Sequence, residues 1–325
     1  MGSSYGPDPS TQQPAEPPRA RDHILLRSSR SCNPRLQTML RTLGATSDAL
    51  WGRLLDVHAS PASAIVVDIS VFRGSQCLEA AKKGFMTVVC FESSPVNYDA
   101  TREAAREQDV PDKGLQLLNM AVLNVTGAEV ELLLGTDSDG RYMSQMVPTT
   151  TLDDFLLPRL NLRRDDAFDA HIKDDTGHGR EVGLQERKEE LYMVRVDVQG
   201  FEGLVVEGMQ QLLRRKQVTY LMLNIWPQMM RQAGRKSCEE TLRLVADMGY
   251  TLHELALSPA VWEQGANKLK ERVMAEARDH PTDIDGLCAW VLQHSSQQGL
   301  WVDVLAVHDP QLGGSSCSVD GFQAQ

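Results

Sequence analysis

The sequence predicts a doubly wound α/β fold, with a mostly parallel sheet and helices on both faces. Three observations carry this reading. Ala64–Ile69 and Thr87–Glu92 are short apolar runs rich in Val and Ile, the composition of strands buried on both faces. Each is followed by a segment of helical periodicity. The alternation then continues with short connections, which gives right-handed crossovers and parallel strands.

The elements follow in order. Residues 1–22 are rich in Pro, Ser and Gln and lack periodicity, so they are expected to be a disordered tail. Residues 23–62 read as a helical extension, with Leu36, Met39, Leu40, Leu43, Leu50, Leu54 and Leu55 at helical steps. The main domain spans residues 63–310. After the first strand, Gly74–Lys83 is a helix with Cys77, Leu78 and Ala81 on one side. After the second strand, Pro95–Gln108 is a helix. Leu115–Val122 and Ala128–Leu134 are further strands. Residues 161–190 are dense in Asp, Arg, Lys and Glu and read as a charged, solvated insert. Tyr192–Val198 resumes as a strand, Gly203–Arg215 as one helix, and Thr219–Ile225 as a strand. Cys238–Met248 is helical, Thr251–Ala256 a strand, and 260–293 mostly helical. Trp301–Val307 closes the sheet as its last strand, and 311–325 is a second disordered tail.

Composition narrows the function. A 325-residue chain with 42% hydrophobic residues can bury a large core. A net charge of −11 argues against a nucleic-acid partner, because such surfaces are built from Lys and Arg. No apolar run approaches the ~20 residues that span a bilayer, and the N-terminus lacks a charged-then-apolar leader pattern. The six cysteines form no C-x-x-C pair. Cys77 and Cys90 lie in segments that read as buried helix and buried strand, and no disulfide framework is expected, which points to a reducing, cytoplasmic setting. No histidine pair has helical metal-ligand spacing, and His171 with His178 falls in the solvated insert, so no metal is expected.

In an open α/β sheet, ligands bind beyond the carboxyl ends of the strands. The first strand ends in Asp68 and turns through Ser70 to Gly74. A Gly-containing turn lets backbone approach a ligand, and the following helix offers free N–H groups. Only Gly74 survives of the glycines expected there. Glu92 ends the second strand, 24 positions after Asp68. This matches the acid about 20 residues on that holds ribose hydroxyls in such folds.

Five landmarks in order resemble the FkbM family of methyltransferases. They are Val66-Val67-Asp68-Ile69 with Gly74, Phe91-Glu92-Ser93-Ser94-Pro95, Asn119-Met120-Ala121-Val122, Thr151-Leu152-Asp153-Asp154, and Arg195-Val196-Asp197-Val198-Gln199-Gly200-Phe201-Glu202. The resemblance implies a Rossmann-like fold with a seven-stranded sheet and S-adenosyl-L-methionine as cofactor. It implies methyl transfer to a hydroxyl of a sugar, glycan or small metabolite. Asp68, Ser70 and Gly74 would lie by the methionine part, Glu92 and Ser93 by the ribose, Met120 and Ala121 by the adenine, and Asp197 by the sulfonium. Against the family pattern, Ser70 stands for a glycine, Phe72 and Arg73 for smaller residues, Arg195 for Lys, Gln199 for Glu and Asn224 for Glu.

A hydroxyl acceptor must lose a proton to a base within hydrogen-bond reach. Asp197 is the first candidate and Glu202 the second. Asp197 equally suits a purely structural role, orienting the Gly200 turn or capping the next helix. The altered turn and changed acids also fit a catalytically inactive relative that acts as a binding or scaffold module. A nicotinamide enzyme is disfavoured, since no G-x-G-x-x-G occurs.

Overall fold

The computed structural model describes residues 47–111, 114–136, 142–160, 190–255, 283–298 and 301–308. The expected disordered tails, residues 23–46 of the helical extension, the charged insert up to 189 and the helical stretch 260–282 lie outside these residues.

The described residues begin with α1 (Ser47–Val57), which buries Leu50, Trp51, Leu54 and Leu55. Then follow β1 (Ala64–Ile69), α2 (Ser75–Lys82), β2 (Thr87–Phe91), α3 (Pro95–Glu107) and β3 (Leu115–Leu118). β4 (Ala121–Val122), β5 (Glu129–Thr136), β6 (Tyr142–Thr150) and α4 (Leu152–Leu156) come next. The second half holds β7 (Glu190–Val196), α5 (Glu202–Glu207), α6 (Gln210–Arg214), β8 (Val218–Ile225), α7 (Pro227–Ala233) and α8 (Cys238–Asp247). It ends with β9 (Thr251–Glu254), α9 (Ile284–Gln298) and β10 (Val302–Val307).

Seven strands form one sheet in the order β3-β2-β1-β7-β8-β10-β9. The first five run parallel, and β10 is antiparallel to both of its neighbours. This is the doubly wound, mostly parallel fold the sequence predicts. The strand order reverses direction between β1 and β7, so the topological switch point lies there. All six residues of β1 and of β10 are buried, as two-sided burial requires. Along the strands, alternate residues enter two separate cores. One packs α4, α5, α6, α7, α8 and α9 against the sheet, through Leu152, Val205, Leu212, Met230, Leu242 and Leu287 among others. The other packs α1 and α2 on the opposite face.

Leu115–Val122, expected as one strand, splits into β3 in the main sheet and β4 in a separate one. Four further expectations change. Ala128–Leu134 is not a strand of the main sheet. It belongs to β5, which pairs antiparallel with β6 in a separate three-stranded sheet ordered β4-β6-β5. The expected single helix 203–215 breaks into α5 and α6 at Gly208. A Cβ there would lie 2.0 Å from the Leu123 carbonyl oxygen, so a neighbouring loop occupies the space where a side chain would stand. β10 does not close the sheet at its edge; it inserts between β8 and β9.

The fourth change concerns cysteine. Cys77 (α2) is bonded to Cys90 (β2), with Cα atoms 6.2 Å apart, and Cys238 (α8) to Cys288 (α9), at 5.8 Å. Both separations suit a disulfide. The expectation of no disulfide framework is therefore corrected. The partners are 13 and 50 residues apart in sequence and meet only through the packing of helix on strand and helix on helix.

Candidate functional site

The acids read from the sequence gather at the carboxyl edge of the sheet, beside the switch point. Asp68 on β1 is opposite Arg195 on β7 in the strand register. Arg195 lies opposite Met222 on β8, and Asn224 on β8 opposite Asp303 on β10. Asp68, Arg195, Asp197, Asn224 and Asp303 continue the rows that carry Val66, Met193, Met222 and Leu305. They therefore belong to the sheet face that α1 and α2 cover.

Arg195 holds this row together. Its Nη1 donates to Asp68 Oδ1 at 3.2 Å and its Nη2 to Asp197 Oδ2 at 2.8 Å. Burial works against the guanidinium charge, yet the two flanking carboxylates outweigh it and its pKa is raised. Asp68 is fully buried; desolvation pushes its pKa up, and Arg195 pulls against that. Its Oδ2 has no hydrogen-bond partner. Asp303 accepts from Asn224 Nδ2 at 3.0 Å. Burial lifts its pKa to about 7, with Arg195 opposing. The sequence signal for Asp303 was present, since it is an acid inside the apolar strand Val302–Val307. It is a second instance of the pattern that pointed to Asp68.

The first turn takes an unusual path. Ser70 and Phe72 both have left-handed backbone, at φ +70° and +52°. That conformation costs an L-residue roughly 1–2 kcal/mol, so contacts must hold the turn. The N–H groups of Ser70 and Val71 donate to the Phe91 carbonyl at 2.8 and 3.3 Å. Phe72 N–H donates to Glu92 Oε2 at 2.8 Å, and Thr101 Oγ1 donates to the Phe72 carbonyl at 3.1 Å. Gly74 has φ +76°, and a Cβ there would meet Thr101 Cγ2 at 2.4 Å. The space its missing side chain leaves is thus filled by Thr101.

Glu92 closes the second strand. Its Oε1 accepts from Ser94 N–H at 2.7 Å and its Oε2 from Phe72. Burial raises its pKa despite these bonds. Asn119 donates to the carbonyls of Glu92 and Ser93 at 2.8 and 3.1 Å. It thereby fixes the β2 and β3 ends against each other. Met120 packs on the larger core, and Ala121 pairs with Thr149 in the small sheet.

The two candidate bases differ. The Asp197 side chain is 27% exposed and its N–H donates to the Ile69 carbonyl at 3.2 Å, across the switch point. Glu202 is fully buried and accepts the Gly200 N–H at 3.0 Å on both oxygens. Desolvation lifts its pKa to about 7. Gly200 has φ +108°, and a Cβ would press on the Met229 backbone at 2.7 Å. Glu202 thus braces a close approach between the turn after β7 and α7, while Asp197 stays partly exposed. Thr151-Leu152-Asp153-Asp154 also acquires a structural explanation. Thr151 caps α4 by accepting from Asp154 N–H, and Asp153 accepts from Gln211 and Leu212 N–H at 2.9 Å each.

An open hollow of about 660 Å³ lies between α7 and α9, lined by Gln228, Arg231 and Gln293 among others. Both helices pack on the other face of the sheet from the acidic row. Among the described residues, no three His, Cys, Asp or Glu side chains form a metal site. None of the described helices is long and apolar enough to cross a membrane.

No protein-family model matches the chain, and no curated protein does. Solved structures similar to it include several methyltransferases and a [4+2]-cyclase. Geranyl diphosphate methyltransferase in complex with SAM has 12% identity and a TM-score of 0.38, over 88% of this chain and 98% of that one. Magnesium protoporphyrin IX methyltransferase from Synechocystis PCC 6803, with bound SAH, has 9% identity and a TM-score of 0.39, over 84% and 87%. Methyltransferase FkbM from Methylobacillus flagellatus KT has 10% identity and a TM-score of 0.37, over 60% of this chain and 40% of that one.

Proposed function

We propose that the chain is an S-adenosylmethionine-dependent methyltransferase of the FkbM kind, acting on a hydroxyl of a sugar or small metabolite. One observation carries the reading. Asp68, Asp197 and Arg195 flank the topological switch point at the carboxyl edge of the sheet, with Glu92 one strand away. That is where ligands bind in open α/β sheets.

The donor set fits the cofactor. Asp68 Oδ2 is a buried acceptor without a partner, suited to a donor such as the ammonium of the methionine part. Glu92 has taken one backbone N–H on each oxygen, and each carboxylate oxygen keeps a further lone pair for a ribose hydroxyl. Bound there, the cofactor supplies an activated methyl on a sulfonium. This chain's residues then align the acceptor and take its proton. Asp197, the more exposed of the two candidate acids, accepts the hydroxyl proton as the oxygen gains the methyl. With the cofactor bound, its methyl would pass to that oxygen, leaving a methyl ether and S-adenosylhomocysteine. Arg195 Nη2, at 2.8 Å from Asp197 Oδ2, holds that carboxylate in place for the step.

Calorimetry with S-adenosylmethionine tests the reading. Binding at micromolar concentration that Glu92→Ala abolishes supports it; no binding by folded wild type overturns it. A second reading, an inactive binding module, draws on Ser70 and Phe72, whose left-handed backbone makes the turn costly where the family has smaller residues. Cofactor binding without methyl transfer to any hydroxylated acceptor would favour that reading.

A further inference from the structure

We propose that the Cys77–Cys90 disulfide is a positioning pair for the cofactor site. It holds the glycine-poor Ser70–Gly74 turn in its binding shape, so that the site takes its cofactor well only when the chain is oxidised. The proposal rests on the S-adenosylmethionine reading above and names what controls that site.

The turn has two ends, and both are tied to β2. Its entry is fixed by the β1–β2 ladder, where Asp68 pairs with Cys90 and Ile69 with Phe91. Its exit is the first turn of α2, which Gly74 caps and which carries Cys77 three residues on. The disulfide bonds that exit to β2 at Cys90, two residues before Glu92. Both sulfurs are on residues with no solvent exposure. The bond therefore joins the two elements whose spacing sets the Phe72–Glu92 contact, the Ser70–Phe91 contact and the surroundings of Asp68.

Glycines would let this turn reach left-handed backbone freely. Ser70 and Phe72 do not, so without a clamp the turn relaxes toward ordinary conformations. Apparent affinity falls in proportion to the fraction of chains that keep the competent shape. Cys238–Cys288 joins α8 to α9 on the other face and serves as the internal control. Disulfides persist in oxidising compartments, so the proposal places the working protein there and not in the cytoplasm that the sequence suggested.

The test uses the full chain purified without reductant. Peptide mapping after alkylation is expected to recover Cys77 linked to Cys90; free thiols at both positions overturn the proposal. S-adenosylmethionine binding is then compared in wild type, Cys77→Ala/Cys90→Ala and Cys238→Ala/Cys288→Ala, at a temperature where circular dichroism shows all three folded. The expected result is a loss of about tenfold or more in the first double variant and wild-type affinity in the control. Adding Ser70→Gly/Phe72→Gly to Cys77→Ala/Cys90→Ala is expected to restore most of the loss, which a merely stabilising bridge would not predict. Equal affinity with and without the bridge overturns the proposal. Hydrogen exchange of residues 70–74 without cofactor gives a separate reading, with faster exchange expected once the bridge is removed. If oxidised wild type binds no cofactor, the methyltransferase reading falls, and the exchange comparison alone decides for or against the clamp.

Discussion

Asp68 and Arg195 are register partners on adjacent parallel strands, and their side chains meet at 3.2 Å inside the protein. Such a pair is costly to break from one side, because the remaining charge stays buried. Arg195→Met is expected to destabilise the fold by about 3–5 kcal/mol. Asp68→Asn in the same chain should recover much of that, since it removes the stranded carboxylate. Urea denaturation of the two single variants and the double variant measures the coupling. Additive effects would show that the pair does not act as a unit.

Asp153 gathers two N–H groups at the start of α6 from its place in α4. Asp153→Ala leaves both without a partner, and Leu212 is fully buried. A loss of about 3 kcal/mol is expected from unsatisfied donors, with cofactor affinity unchanged once the chain is folded. Denaturation and calorimetry together check this. A large affinity loss at full folding would instead tie this segment to the site.

Gly74 carries two separate requirements: a left-handed backbone and close contact with Thr101. Gly74→Ala violates both, and a loss of about 2–4 kcal/mol is expected. Thr101→Ser removes Cγ2 while keeping the hydroxyl that donates to Phe72. The Gly74→Ala/Thr101→Ser chain should therefore be more stable than Gly74→Ala alone, yet less stable than wild type. Thermal melting of the series separates the steric part from the conformational part.

Glu202 and Asp303 both have folded-state pKa values raised to about 7 by burial, from ordinary carboxylate values of 4.5 and 3.8. A raised pKa means the folded chain holds protons that the unfolded chain has lost. The stability from these groups is complete below about pH 4 and is lost as pH rises through about 7. Wild type is expected to melt at progressively lower temperature from pH 5 to pH 8. Glu202→Gln should flatten that slope, with the Asp303 share remaining. A wild-type slope of the opposite sign would contradict the protonation of both acids.

The sequence revealed what a single strand can carry. β1, β2, β7, β8 and β10 stand out because two-sided burial demands apolar runs, and Asp68, Glu92 and Asp197 stand out as acids at or just past the ends of such runs. Properties created by two distant segments meeting were not legible. The Arg195 bridge between Asp68 and Asp197 needs β1 and β7 side by side across 127 residues. The disulfides need helix packing. The break at Gly208 needs the Leu123 carbonyl, and β6 escaped notice because Tyr142–Thr150 interleaves Ser, Gln, Pro and Thr with its few apolar residues. The sequence also could not show that Glu202 is buried and accepts the Gly200 N–H, because that contact depends on the path of the turn after β7.

The insertion of β10 between β8 and β9 has a consequence for synthesis. β9 pairs with β10 and not with β8, so on the ribosome it has no neighbour to join until residues 302–307 emerge. Until then β8 presents an unsatisfied hydrogen-bonding edge, and most of the parallel half is already available to fold. Nascent chains paused between β9 and β10 are thus the species most exposed to edge-to-edge association. Chaperone demand for this protein should be concentrated in that brief interval of translation.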